Sequence, residues 1–306
     1  MKKCTYLLFA LIAALATSPL FAETTSETLH TASAEAFTVY VAGPNEAREG
    51  IVLVHDWFGV SPSFLNATER LAKLGYRVVG VDLYGGRRAT THDEAGALLG
   101  SLDAKLAGQK IDAAIQSLSR LPRKLAVMGF SMGAKHALSA ALRNKSIGAT
   151  VLWYGETVND PHQLRSLGGP VLLVVGSADG PTAAENAAAF SKAADEAGGA
   201  AEVYVYPGAA HAFAQPLFNQ GKTYDAIAAE TAWRLSENFL RRRLHSGRCW
   251  DCGRAKGLSN EAVANRIHPK SVQRDRSVSG GKNLRVQLKC DGFVRRRRIR
   301  GDNRGL

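Results

Sequence analysis

The sequence predicts an α/β fold, a mostly parallel, doubly wound sheet covered by helices. Three observations carry that expectation. Short apolar runs bounded by turn residues alternate with longer stretches of helical period from Phe37 onward, which is the order of βα units in a parallel sheet. Several of the short runs are apolar on consecutive residues, as strands covered on both faces are. Gly75, Gly198 and Gly199 follow helical stretches, where a left-handed terminal residue is wanted.

Taken in order, the chain opens with Lys2 and Lys3, an apolar run over 6–16, Pro19 and small residues to Ala22. This pattern predicts a secretory signal peptide over 1–22, too short for a comfortable membrane span, with cleavage after Ala22. The mature protein is therefore expected to be exported, periplasmic or secreted, with no stable membrane insertion. Residues 23–36 are expected to be a linker. Strands are expected at 37–41, 51–55, 77–81, 125–130, 150–154, 171–175 and 202–206. Helices are expected between them at 63–74, 93–118, 132–142, 183–197 and 223–240. In the last of these Tyr224, Ile227, Ala228, Leu235 and Phe239 recur at helical spacing, giving one apolar face to lay on the sheet. The elements compose a single catalytic domain over 37–243, an ordinary size for one α/β domain.

From 244 to 306 the periodicity fades and Arg, Ser, Gly and Asn accumulate, predicting a basic, disordered tail. The formal net charge of +12 belongs to this end. Residues 241–306 carry 19 basic and 5 acidic side chains, and the first 240 carry 20 and 22. The basicity thus gives no reason to expect nucleic acid on the catalytic domain. Cys249, Cys252 and Cys290 lie in the tail and Cys4 in the signal, so the catalytic region needs no disulfide framework.

The chemistry centres on Gly129-Phe130-Ser131-Met132-Gly133, between an apolar strand and a helical stretch. A tight strand-to-helix turn requires glycines flanking the serine, because side chains there collide with neighbouring backbone. Such a turn lifts the Ser131 hydroxyl above the sheet and offers the Met132 N–H to a developing oxyanion. A serine hydroxyl is a weak nucleophile and needs a base held by a carboxylate. The chain order serine, acid, histidine characterises α/β-hydrolase folds. Asp179 follows the strand at 171–175, and His211 follows the strand at 202–206. Both therefore fall where such sheets gather ligands. Asp179 could instead cap the following helix. His136 and His162 are rivals to His211, but the first sits on the helix after Ser131 and the second precedes the acid. The loop after 51–55, Asp56-Trp57-Phe58-Gly59, is placed to supply a second oxyanion donor, assigned to the Trp57 N–H. Asp56 could orient substrate or perturb the Ser131–His211 pair, or simply cap its own turn.

On these residues the chain resembles the dienelactone hydrolase family over roughly 37–240. The resemblance rests on Asp56-Trp57-Phe58-Gly59, Asp82-Leu83-Tyr84, the serine pentapeptide, the Gly176 to Asp179 turn, and Tyr206-Pro207-Gly208 with His211-Ala212-Phe213. Tyr224, Ala228, Ala229, Glu230 and Trp233 add to it. It implies hydrolysis of a lactone or carboxylic ester through an acyl-enzyme, with neither metal nor organic cofactor. Asp56, Phe58, Tyr84 and Arg87 are implied as substrate-binding residues, and a monomer or homodimer as the assembly. Three departures refine this. Founding members carry a cysteine nucleophile, and this chain has Ser131, like the family's serine-bearing relatives. Asp56 stands where they have Glu. Their substrate-holding Arg is displaced here to Arg87 by Gly85-Gly86, which points away from dienelactone as the substrate.

Other readings remain open. The same triad serves peptide or thioester cleavage equally well, since fold and nucleophile do not fix the acyl group. Arg295-Arg296-Arg297-Arg298-Ile299-Arg300 could meet nucleic acid or an anionic surface. Cys249, Cys252, His268 and Cys290 could be drawn as a zinc site, but a second closely spaced ligand pair is missing.

Overall fold

The computed structural model describes residues 23–245 apart from 122 and 217. The expected signal peptide, the basic tail beyond 245 and its cysteines, arginine run and drawn zinc site lie outside the described residues. Among the described residues no helix is long and apolar enough to cross a membrane.

The chain alternates strands and helices as expected. The elements are β1 (Thr25–His30), β2 (Ala36–Ala42), β3 (Glu49–Val54), α1 (Pro62–Ala72), β4 (Arg77–Val81), α2 (His92–Gly100) and α3 (Ala104–Ser119). They continue with β5 (Lys124–Phe130), α4 (Met132–Arg143), β6 (Ile147–Trp153), α5 (Pro161–Leu164) and β7 (Val171–Ala178). The last are α6 (Ala183–Glu196), β8 (Ala201–Ala210), a short 3-10 turn (Phe218–Gly221) and α7 (Ala226–Leu244). The eight strands form one sheet in the order β1-β2-β4-β3-β5-β6-β7-β8. From β4 to β8 the neighbours are parallel. β2 runs antiparallel to both β1 and β4.

The apolar runs behave as strands buried on both faces, and all six residues of β3 are buried. One side of the sheet packs against Phe64 and Leu71 of α1 and Ala232, Phe239 and Leu240 of α7. The other packs against Ile111 of α3, Leu138 of α4 and Phe190 of α6. Both faces are therefore covered, as a parallel sheet requires. Side-chain caps start the helices: Ser61 accepts from Phe64 N–H, and Asp225 accepts from the Ile227 and Ala228 N–H groups.

Three expectations need correction. Of the apolar face expected on the last helix, Tyr224 precedes α7 and Ile227 is exposed, while Ala228, Ala232, Phe239 and Leu240 are buried against the sheet. Residues 23–36 are not simply a linker, because 25–30 form β1. Its residues are mostly exposed, so no apolar alternation announced it, and pairing with β2 alone defines it. The helix expected over 93–118 is two. α2 ends at Gly100, and Asp103 accepts from the Lys105 and Leu106 N–H groups to start α3. A glycine followed by an N-cap aspartate breaks a run that the apolar period alone reads as continuous.

Candidate active site

The parallel strands end on one side of the sheet, and the chemistry-bearing residues follow them there: Asp56 after β3, Tyr84 after β4, Ser131 after β5, Asp179 after β7 and His211 after β8. Ser131 occupies a left-handed backbone position, φ 51° and ψ −118°. A non-glycine residue held there stores strain that the surroundings must fix. They do so by close approach. A Cβ on Gly129 would lie 2.1 Å from the Gly133 carbonyl oxygen, and one on Gly133 would lie 2.3 Å from the His55 carbonyl oxygen. The Ser131 N–H donates to the Trp153 carbonyl at 2.8 Å, tying the turn to the end of β6.

Ser131 Oγ stands 2.9 Å from His211 Nε2. His211 Nδ1 lies 2.9 and 3.0 Å from the two Asp179 carboxylate oxygens. A carboxylate only accepts, so the hydrogen sits on Nδ1 and Nε2 is left to accept from the serine hydroxyl. Asp179 is not a helix cap: α6 takes Thr182 as its N-cap. Close contact of β7 with β8 brings acid and base together. A Cβ on Gly176 would sit 2.1 Å from the Ala209 carbonyl oxygen, and the Gly208 N–H donates to Ser177 Oγ at 2.8 Å.

Asp56 caps its own turn and also bonds a residue from another loop. One carboxylate oxygen caps its own turn by accepting from the Phe58 N–H at 2.9 Å, and the other accepts from Gln215 Nε2 at 2.8 Å. It is buried, and burial pushes its pKa up to about 6 against the opposing pull of the Phe58 N–H, the His211 charge and Gln215. His55 beside it is fully buried. Its Nδ1 meets the Asp56 carbonyl and its Nε2 accepts from the Leu83 N–H at 3.1 Å. These bonds fix a neutral imidazole that joins the ends of β3 and β4, and burial lowers its pKa to about 4.

The remaining expected residues are placed unequally. Phe58 is half-buried beside Trp57, ring centroids 5.7 Å apart. Met132 opens α4 directly after Ser131, a position whose N–H has no intrahelical acceptor. Tyr84 is buried, its hydroxyl 3.3 Å from the Met132 sulfur. Arg87 is exposed, and its Nε donates to the Tyr84 carbonyl at 3.2 Å. Sequence reasoning missed Gln215, whose role arises only from loop convergence. It also passed over Tyr154 as a strand end. Tyr154 has φ 39°, its ring packs 5.5 Å from the His211 ring, and its buried hydroxyl has no partner among the described residues. Nor is any group of three or more metal-ligating side chains found among those residues.

A parallel sheet that carries a strained serine between strand and helix, linked through an imidazole to a carboxylate, defines an α/β hydrolase. The description "Dienelactone hydrolase family" matches residues 37–244, and the chain belongs to that family. Similar curated proteins include one provisionally named carboxymethylenebutenolidase in Yersinia pestis. It is 28% identical over 228 residues, covering 68% of this chain and 84% of the relative. Protein usf of Aquifex pyrophilus is 26% identical over 217 residues, covering 67% and 93%. Among solved structures, a dienelactone hydrolase from Anabaena variabilis aligns with TM-score 0.56 and 21% identity, over 73% of this chain and 99% of that one. A dienelactone hydrolase-like promiscuous phosphotriesterase from metagenomic libraries aligns with TM-score 0.62 and 21% identity, over 72% and 99%.

Proposed function

We propose that the protein is a serine hydrolase that cleaves a carboxylic ester or lactone through an acyl-enzyme. One observation carries the reading: the unbroken hydrogen-bonded series from Ser131 Oγ through His211 to Asp179, with each link at 2.9 to 3.0 Å. In it His211 takes the Ser131 proton as the hydroxyl attacks the acyl carbon, and Asp179 orients and supports the imidazolium. His211 then gives that proton to the departing alcohol and activates the water that releases the acyl group. The Trp57 and Met132 N–H groups serve as the oxyanion donors, each contributing on the order of 3 kcal/mol. Asp56 keeps its loop in place through the Phe58 N–H and Gln215, and Tyr84 walls the acyl pocket. No metal or organic cofactor takes part in these steps.

Ser131→Ala is expected to lower p-nitrophenyl acetate turnover by about 10⁴-fold or more with folding retained. Undiminished turnover by this variant removes the assignment. The reading includes export of the mature protein, as monomer or homodimer. An N-terminal sequence beginning at Glu23 in the exported fraction supports it, and an intact Met1 end there counts against it.

A further inference from the structure

Four rings from three separate segments meet beside His211, and the steps above leave the cluster without a task. Trp57 and Phe58 come from the loop after β3, His92 opens α2, and Phe218 opens the 3-10 turn. His92 lies 5.6 Å from Trp57, 5.7 Å from Phe58 and 5.1 Å from Phe218, centroid to centroid, and Phe58 lies 5.9 Å from Phe218. Each pair meets edge to face, with interplanar angles from 67° to 90°. That is the arrangement aromatic quadrupoles favour. Phe218 continues the series to the His211 imidazole, 6.0 Å away at 66°. Trp57, Phe58 and Phe218 are half-buried and His92 is exposed, so the cluster borders solvent.

The segments are braced against one another. The Ala89 N–H donates to the Phe58 carbonyl, and the Phe218 N–H donates to the Gln215 carbonyl. Gln215 Nε2 then reaches across to Asp56, in the loop that carries Trp57 and Phe58. Thr91 and Glu94 close a reciprocal cap at the start of α2, fixing the turn that presents His92. A wall held in this way loses little freedom when a ligand settles on it.

Its place beside the base says which part of a substrate it would meet. The imidazole that protonates a departing alcohol must lie within hydrogen-bond reach of that oxygen. Of the two rings against His211, Tyr154 is buried and Phe218 is half-buried, in contact with the exposed His92. A group attached to the departing oxygen therefore runs past Phe218 into the other three rings. We propose that Trp57, Phe58, His92 and Phe218 form a subsite for a flat aromatic group on the departing alcohol, making arylmethyl esters preferred over short alkyl esters. The proposal rests on the serine-hydrolase reading of the same site.

The test compares benzyl acetate, cyclohexylmethyl acetate and methyl acetate, whose departing alkoxides are of similar basicity. One well-formed aromatic contact corresponds to roughly two- to tenfold in binding. The wild type is expected to favour benzyl over methyl acetate about tenfold or more in kcat/KM, and benzyl over cyclohexylmethyl acetate as well. Phe218→Leu keeps apolar volume without the ring, and His92→Ala removes the exposed ring. Each should lower the benzyl-to-methyl ratio about fivefold, with thermal melting showing that the variant is folded. A ratio unchanged in both variants overturns the subsite while the hydrolase reading stands. If the wild type hydrolyses none of the three esters and p-nitrophenyl acetate is left intact as well, the hydrolase reading falls. Benzyl alcohol titrated into the protein then reads the subsite by the NMR shift of the His92 ring protons: a saturable shift supports it, and none overturns it.

Discussion

The turn that holds Ser131 and the loop that holds His211 are built in opposite ways. Around Ser131 the backbone itself leaves no room: Gly129, Gly133 and Gly155 each lie where a Cβ would come within 2.6 Å of another segment's backbone or of its own turn. Beyond His211 the chain winds through left-handed residues at Ala212, Asn219, Gln220 and Gly221. Backbone bonds close its turns, as from the Asp225 N–H to the Phe213 carbonyl, and two side-chain bonds tie it to the rest of the site, Asp179 to His211 and Gln215 to Asp56. The difference teaches where each property resides. The attacking oxygen is positioned by close backbone packing at Gly129, Gly133 and Gly155. The base and the aromatic wall beside it depend on a few replaceable contacts, so selectivity can drift while the nucleophile stays put.

Alanine at two glycines tests the contrast directly. In Gly133→Ala the new methyl meets the His55 carbonyl oxygen at 2.3 Å and the Val54 carbonyl oxygen at 2.5 Å. Both belong to main chain at the end of β3 and cannot swing away. The expected loss of stability is more than about 3 kcal/mol. In Gly208→Ala, on the side of the loop, nothing lies within 4 Å and only φ 74° is unfavourable, for about 1 kcal/mol. Urea unfolding measures both. Equal losses at the two sites would break the comparison.

The adjacent pair His55 and Asp56, at the boundary between the two regions, should give opposite pH slopes. Asp56 has a folded pKa of about 6 against an ordinary 3.8. The native state therefore holds the proton more tightly, and its contribution to stability is full below pH 3.8 and lost as pH rises to 6. The shift corresponds to about 3 kcal/mol. His55, lowered from 6.5 to about 4, contributes stability that is full above pH 6.5 and lost as pH falls to 4. In the wild type the two slopes largely cancel between pH 4 and 6.5. Asp56→Asn removes one of them. The variant should be more stable than the wild type by about 2 to 3 kcal/mol at pH 8, with the advantage fading toward pH 4. Its own stability should then fall on acidification. A flat profile for the variant, read by urea unfolding across pH 4 to 8, means that His55 does not stay neutral in the folded state.

The same division governs what the sequence makes legible. Ser131, Asp179 and His211 each follow an apolar strand at a turn-forming segment, so local pattern and chain order were enough to select them. The hydrolase fold and the parallel strands were legible for the same reason. β1 was not, because its mostly exposed residues acquire strand structure only by pairing with β2. The break between α2 and α3 was written in Gly100 and Asp103, a local signal that the longer apolar period overrode. Gln215, His92 and Phe218 gave no local sign, since their contacts join residues far apart in the chain. The bond from Arg87 Nε to the Tyr84 carbonyl, across the left-handed Gly85 and Gly86, was likewise not legible, because it depends on how those two glycines turn the chain.

Tyr154 supplies the smallest and most discriminating test. Its backbone lies on the rigid side: its N–H donates to the Val174 carbonyl at 2.7 Å, and the neighbouring Trp153 carbonyl accepts from the Ser131 N–H. Its ring packs on Phe213 as well as His211. Its hydroxyl, however, is buried without a partner among the described residues, and burial, with Asp56 and Asp179 nearby, holds its pKa well above the ordinary value. Desolvating a hydroxyl without a bond is unfavourable by about 1 kcal/mol or more. If packing alone fixes this region, Tyr154→Phe keeps every ring contact, loses no bond and raises unfolding stability by up to about 1 kcal/mol. A loss of comparable size would mean that the hydroxyl is bonded after all. The nucleophile turn would then lean on side-chain bonds as the His211 loop does, and the contrast between the two regions would be one of degree.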